Sequence, residues 1–136
     1  MQLSILFHSG NIGFMILFLA VIAPSVFKTL SQKAAATYLR TLFPRMFTYG
    51  LILSIAATIA ATFEDDNQAI LISLIISVGF ALNAFVLTPI INSYRDSMLQ
   101  GDKKASRRFS LLHMASVAIF LSQLLGSSFL ILAKSV

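Results

Sequence analysis

The sequence contains no cysteine and few charged side chains, and each shortage excludes a class of protein. Without cysteine there is no disulfide framework, no thiolate metal site and no cysteine nucleophile. Only 11% of the residues are charged, compared with about 25% in a typical soluble domain. This polar surface is too small to cover a soluble globule. Because 57% of the residues are hydrophobic, we expect lipid to cover the rest.

Four apolar stretches are long enough to cross a bilayer, since a spanning helix needs about 20 residues to cross about 30 Å of hydrocarbon. We predict spans at approximately residues 3–27, 44–63, 68–93 and 108–133. The spans should be helical, because backbone polar groups in lipid must be paired within the segment. The predicted fold is an all-α membrane protein with a single integral membrane domain, residues 1–136. Short connections favour a four-helix transmembrane bundle with antiparallel neighbours.

The basic residues indicate the orientation of this bundle. Nine of the ten lie in two segments, 28–45 and 94–108, whereas the second connection carries Glu64, Asp65 and Asp66. The positive-inside rule places both basic segments in the cytosol as loops and both termini outside, with a bacterial inner membrane as the expected location. Pro44 predicts a kink or break near that face. Positive charge beside apolar runs indicates anionic lipid headgroups as partners and no nucleic acid.

A weak internal repeat accompanies this topology. Gly13-Phe14 precedes Pro24 by eleven residues, and Gly79-Phe80 precedes Pro89 by ten. The two hairpins would then be parallel repeats about an axis along the membrane normal. Small residues at four-residue spacing allow close helix packing, either within the bundle or in a homo-oligomer.

Polar side chains inside or beside the spans are the candidate binding residues, since such groups are costly in lipid. They are His8, Arg40, Arg45, Asn83, His113, Ser116 and Gln123. The spacing of the last three places them on one inward face of the fourth span. We expect His113 either to bond with Asn83, Ser116 or a carbonyl group, or to bind a ligand. The two arginines flank Leu42-Phe43-Pro44, where they snorkel to phosphates or form an anionic headgroup site near His113.

The two histidines do not predict a shared metal. His8 lies near the outer end of its span and His113 near the inner end, about 16 Å apart in height at ~1.5 Å per residue. Two axial ligands of one iron would be about 4 Å apart, at ~2 Å per metal–nitrogen bond. Each histidine could still bind haem or copper with another partner. No acid–base or nucleophile–base pair is complete, so an enzyme is disfavoured.

Several of these residues together resemble a known family. They are His8, Leu42-Phe43-Pro44 with Phe47, the run Asn83-Ala84-Phe85-Val86-Leu87-Thr88-Pro89, and Phe109 with His113 and Ser116. This set is similar to the transmembrane protein 205-like family of small four-span membrane proteins, whose molecular function is largely undefined. More distantly, the pattern from His8 to Pro24 is similar to the membrane domain of copper-resistance protein D.

Three functions follow from these observations. The first is a structural, assembly or lipid-interacting role without catalysis, indicated by the missing motifs and the packing residues. The second is a haem- or metal-handling membrane protein that uses His8 or His113. The third is a small transporter acting as an oligomer, indicated by the polar face of the fourth span.

Overall fold

The computed structural model describes residues 2–135, so that Met1 and Val136 of the predicted domain lie outside the described residues. Over the described range the chain forms four helices, and each is long and apolar enough to cross a membrane. They are α1 (Leu3–Thr29), α2 (Gln32–Phe63), α3 (Asn67–Leu99) and α4 (Lys103–Ser135). The predicted all-α, four-span helical bundle is therefore confirmed.

The two basic segments, 28–45 and 94–108, are largely helical, so the prediction of two loops is wrong. The connections shrink to residues 30–31 and 100–102. The Ser31 hydroxyl accepts from the Ala34 N–H and caps α2 at its first turn. Of the kink or break predicted at Pro44, the break is wrong, since α2 continues through this residue. Long helices thus extend past the apolar stretches and carry their basic side chains at one end of the bundle, hereafter the basic end.

The opposite end of the bundle holds the turn Glu64–Asp66 and is called the acidic end. The Ser4 backbone N–H donates to Glu64 Oε1 over 3.1 Å, and the Ser4 hydroxyl donates to Oε2. Asp66 caps α3 by accepting from the Ala69 N–H, and it forms a 2.6 Å salt bridge with Lys134. These two carboxylates therefore tie the start of α1 and the end of α4 to the central turn.

Acidification should loosen the acidic end. Burial opposes ionisation of Glu64, but the hydrogen bonds from Ser4 outweigh it and hold the pKa of Glu64 below its usual value. The Lys134 ammonium does the same for the pKa of Asp66. A lowered folded pKa means that the stabilisation is complete above the ordinary carboxyl pKa and disappears as pH falls through the lowered one.

The measurement is the unfolding temperature in detergent from neutral to acidic pH. We expect the wild-type temperature to fall on acidification and that of the double variant Glu64→Gln, Asp66→Asn to fall less. Parallel curves for the two proteins would count against this role of the acidic end.

Helices α1 and α3 share an unusual feature, a π turn directly before a proline. The π turns are Phe18–Ile22 and Leu82–Leu87. In each, the residue before proline donates its N–H to the carbonyl five residues back: Ala23 to Phe18, and Thr88 to Asn83. Proline has no N–H and crowds the carbonyl four residues back, and a wider turn accommodates both effects.

The π turns reveal a structural repeat. A shift of 65 positions carries Pro24 onto Pro89 and each buried residue of α1 onto a buried residue of α3. The pairs are Ser4 with Ala69, His8 with Ser73, Asn11 with Ile76, Met15 with Phe80, Phe18 with Asn83, and Val26 with Ile91. The two Gly-Phe pairs are one residue out of this register, so the repeat lies in the buried positions and not in that motif.

Helices α2 and α4 correspond only in their middle parts, with a shift of 73. The buried pairs are Phe47 with Phe120, Gly50 with Gln123, Ser54 with Ser127, and Ala57 with Leu130. These correspondences agree with two parallel-related hairpins, and that relation stays a prediction.

An aromatic layer crosses the middle of the bundle. Phe120 lies 6.2 Å from Phe47 and 6.1 Å from Phe18, measured between ring centroids, and both pairs meet edge to face. Phe43 stacks on Phe47 at 5.8 Å. The layer separates two polar regions, one towards each end of the bundle.

Candidate functional site

A cavity of about 1050 Å³ lies between the aromatic layer and the basic end. Ligand pockets typically measure about 300–1,000 Å³, so the cavity is large enough for a small molecule or one lipid chain. All four helices contribute to its wall. Its polar and charged lining residues are Gln32, Lys33, Thr37, Arg40, Thr88, Asn92, Arg95, Asp96, His113 and Ser116.

The deep part of the cavity is apolar. Its floor is the aromatic layer itself, with Phe18, Phe43, Phe47 and Phe120 all in the lining. These rings hold one another through the edge-to-face and stacked contacts described above, so the floor is fixed by packing. A chemically inert, well-shaped apolar surface of this kind suits a hydrocarbon chain.

The rim of the cavity, by contrast, is charged. Arg40 Nη2 donates to the Asp96 carboxylate over 2.7 Å and to the Asn92 carbonyl over 3.1 Å, which joins α2 to α3. The Arg95 guanidinium lies 5.1 Å from the centroid of the Phe109 ring. Three cations, Arg40, Arg95 and Lys33, face one carboxylate in the lining. The rim therefore carries an excess of positive charge that favours an anion.

His113 and Ser116 line this cavity, and Asn83 lies directly behind it. The His113 ring stacks on Phe109 with 5.8 Å between centroids. Asn83 is fully buried, and its Nδ2 donates to the Ser116 carbonyl over 3.3 Å. The sequence offered a bond between Asn83 and His113 as one alternative. The structure instead uses Asn83 to hold α3 against α4 at the cavity wall.

Only one of the two arginines predicted to act together lies at the cavity. Arg40 is in the lining, whereas Arg45 is exposed and outside it. The difference follows from helix geometry, because side chains five residues apart lie on different faces of a helix with about 3.6 residues per turn. With α2 continuous through Pro44, the two arginines point in different directions.

His8 and Gln123 belong to a second polar region, on the acidic side of the aromatic layer. His8 Nδ1 lies 3.1 Å from Ser127 Oγ, and Nε2 lies 2.9 Å from Ser73 Oγ. Gln123 Nε2 donates to the Ile76 carbonyl over 2.9 Å. The polar face of α4 is therefore divided, with Gln123 in this polar core and His113 with Ser116 at the cavity.

The chemistry available to His8 is set by its two serine partners. Both ring nitrogens are engaged by serine hydroxyls, and in a neutral imidazole one of them accepts a hydrogen bond while the other donates one. Among residues 2–135, no three histidine, aspartate or glutamate side chains converge as a metal-binding group. The polar core thus acts as an interhelical clamp that joins α1, α3 and α4.

Sequence reasoning missed four rim residues, Lys33, Asn92, Arg95 and Asp96. A signal was present, because Thr88, Asn92 and Arg95 recur at helical spacing and share one face of α3. This spacing carried no weight because the predicted span ended at residue 93 and the chain beyond it was expected to form a loop.

The comparisons with known proteins give one family. A family model described as a domain of unknown function (DUF4149) matches residues 6–100. This range includes His8, the Pro44 region and Asn83, and it ends before α4. The searches against curated proteins and solved structures find no match.

Proposed function

We propose that this chain, which belongs to the DUF4149 family, a domain of unknown function, binds an anionic amphiphile in the cavity at the basic end. The proposal rests on the geometry of that cavity. One observation carries this proposal: a single cavity combines an aromatic floor with a rim of net positive charge. Hydrocarbon is driven onto the apolar floor, and an anionic headgroup finds charge-assisted donors at the rim.

The dimensions support a lipid. On α4 the lining runs from Phe109 to Phe120, which is about 16 Å at ~1.5 Å per residue. A leaflet is half of the ~30 Å hydrocarbon thickness, or about 15 Å. A membrane lipid whose headgroup lies at the rim would therefore place its chain alongside the floor without leaving its own leaflet.

We further propose that the basic end faces the cytosol of a bacterial cell, with both termini on the other side of the inner membrane. The distribution of Lys and Arg supports this orientation. The cytosolic leaflet supplies anionic headgroups, which basic pockets between helices recognise. In this role the protein holds or presents a lipid and carries out no chemistry of its own.

Replacing Arg95 with glutamine should weaken the binding of phosphatidic acid by about tenfold or more, since a hydrogen bond to a charged group contributes about 1.5–3 kcal/mol. Fluorescence displacement in detergent micelles measures the affinity, with phosphatidylcholine as the neutral comparison. Arg107→Gln is the matched control, because Arg107 is exposed and outside the cavity. Equal losses in the two variants, or equal affinity for the neutral lipid, would falsify the proposal.

The resemblance to the transmembrane protein 205-like family and to copper-resistance protein D stays a prediction. So do the haem or copper alternative at His8 or His113, the oligomeric transporter and a homo-oligomer. Visible absorption and metal content of the purified protein, after haem or copper has been offered, test the cofactor alternative. The oligomeric state in detergent tests the oligomeric transporter and the homo-oligomer.

A further inference from the structure

We propose that the amphiphile reaches the cavity sideways from the lipid, through a portal between α4 and the part of α1 that follows Phe18. This inference rests on the proposed function and adds the route by which the ligand arrives. It arises from the way in which α1 and α4 separate along their length.

In the half of the bundle near the acidic end, α1 and α4 pack directly against each other. His8 bonds with Ser127 there, and the Phe18–Phe120 contact marks the basic limit of the interface. Beyond it, and within the described residues, the segment Ala23–Thr29 packs against α2 and makes no comparable contact with α4. The two helices therefore diverge at the cavity floor.

The exposure of the cavity wall marks the same opening. Leu19 on α1 and Val117 on α4 both line the cavity, and each is about 40% exposed. Phe27 also lines the cavity and is 69% exposed. A side chain that faces both a cavity and the outside lies at an edge between them. All three are apolar, as expected for an opening that faces acyl chains rather than water.

The other side of the cavity is closed by polar contacts. Arg40 on α2 binds Asp96 on α3, and Arg95 on α3 donates to the Ala36 carbonyl on α2 over 3.4 Å. The inner part of α3 also packs along α4. Polar contacts thus bridge the edge of the cavity between α2 and α3, whereas the edge between α1 and α4 is apolar and offers lipid a route from the side.

The π turn of α1 lies where the portal begins. Phe18–Ile22 is the segment at which α1 leaves α4, and Pro24 removes a backbone hydrogen bond directly after it. The matching turn of α3 precedes a segment, Thr88–Leu99, whose boundary with α2 is bridged by the Arg40–Asp96 salt bridge. The boundary that follows the π turn is thus apolar on the α1 side and closed by charge on the α3 side.

Because the chain has no cysteine, a bridge across the portal can be made without background. We would introduce Leu19→Cys with Val117→Cys, join them with a short, cleavable bismaleimide, and reconstitute the protein in phosphatidylcholine vesicles. The probe is fluorescent phosphatidic acid in donor vesicles, and stopped-flow fluorescence gives the loading rate. The control pair is Val78→Cys with Leu125→Cys, which line a separate groove between α3 and α4.

The bridge across the portal should slow loading by about tenfold or more, as expected where opening limits ligand exchange. Cleaving the bridge should restore the rate, and the control bridge should leave it unchanged. Unchanged loading through an intact portal bridge overturns the portal, while equilibrium binding still supports the proposed function. Absence of equilibrium binding in the unmodified protein overturns both.

If the double cysteine variant folds poorly, a single substitution that introduces no cysteine provides a second test. Phe27→Ala removes an exposed ring at the portal edge, so folding should not depend on it. Faster loading than wild type is the expected result. A loading rate equal to or below that of wild type speaks against the portal.

Discussion

Phe80→Ala should destabilise the protein by about 3–5 kcal/mol, the usual cost of removing a fully buried phenylalanine ring. Phe80 is completely buried, and its ring lies against the backbone of Gly50. A Cβ atom on Gly50 would lie only 2.5 Å from two ring carbons. Phe14 contacts the same ring at 6.0 Å between centroids. Rigid backbone on one side and an aromatic ring on the other leave little scope for the cavity to collapse.

Unfolding in detergent, followed by circular dichroism as denaturant is added, measures this loss. Phe85→Ala is the control, because Phe85 lies on the same helix and is 64% exposed. Gly50→Ala should also destabilise the wild type, and less so when Phe80 is leucine, since the clash is with the ring. Similar losses of stability for Phe80→Ala and Phe85→Ala would contradict the tight packing of the Phe80 ring against Gly50 and Phe14.

Asn11→Leu should have the opposite sign and stabilise the protein by about 1–3 kcal/mol, the cost of an unsatisfied buried polar group. Asn11 is fully buried, and no residue among 2–135 hydrogen-bonds its Oδ1 or Nδ2. Leucine has nearly the same size and shape and leaves no unpaired group behind. The gain should appear as a higher unfolding temperature at unchanged helical content.

Asn83→Leu is the matched amide control. Asn83 is equally buried, and its Oδ1 also has no partner among residues 2–135, but its Nδ2 donates to the Ser116 carbonyl. Because Asn83→Leu loses that bond between α3 and α4, it should raise the unfolding temperature less than Asn11→Leu does, or lower it. If Asn11→Leu itself lowers the unfolding temperature, Asn11 has a partner in the folded protein and belongs to the polar core of His8.

The sequence was sufficient for the bundle, because span length and backbone hydrogen bonding depend only on local composition. It was not sufficient for the polar core. Ser73 and Ser127 lie 65 and 119 positions from His8, and which faces meet depends on how each helix is rotated. Nor was the sequence sufficient to show that Gln123 and His113, which share a face of α4, lie on opposite sides of the aromatic layer. A shared helix face says nothing about the aromatic layer that crosses it.

The cavity was predicted only in part. His113 and Ser116 were identified because polar groups in apolar runs are rare, and Arg40 because it lies beside the predicted span at Pro44. Arg95 was not, because α3 continues past the apolar stretch that was read as its limit. The π turns were also beyond prediction. Proline predicts a disturbed helix, but the choice between a kink and a wider turn depends on the surrounding packing.

The predicted parallel relation of the two hairpins has a consequence for the contact between His8 and Ser73. These residues correspond under the shift of 65 and bond directly to each other, so an axis relating the hairpins would pass through their contact. Two separate copies of one hairpin would bring histidine to histidine or serine to serine at that point. Covalent linkage at Glu64–Asp66 removes this restriction and lets the two halves carry different side chains. A donor can then face an acceptor, and one half can open to lipid while the other stays shut.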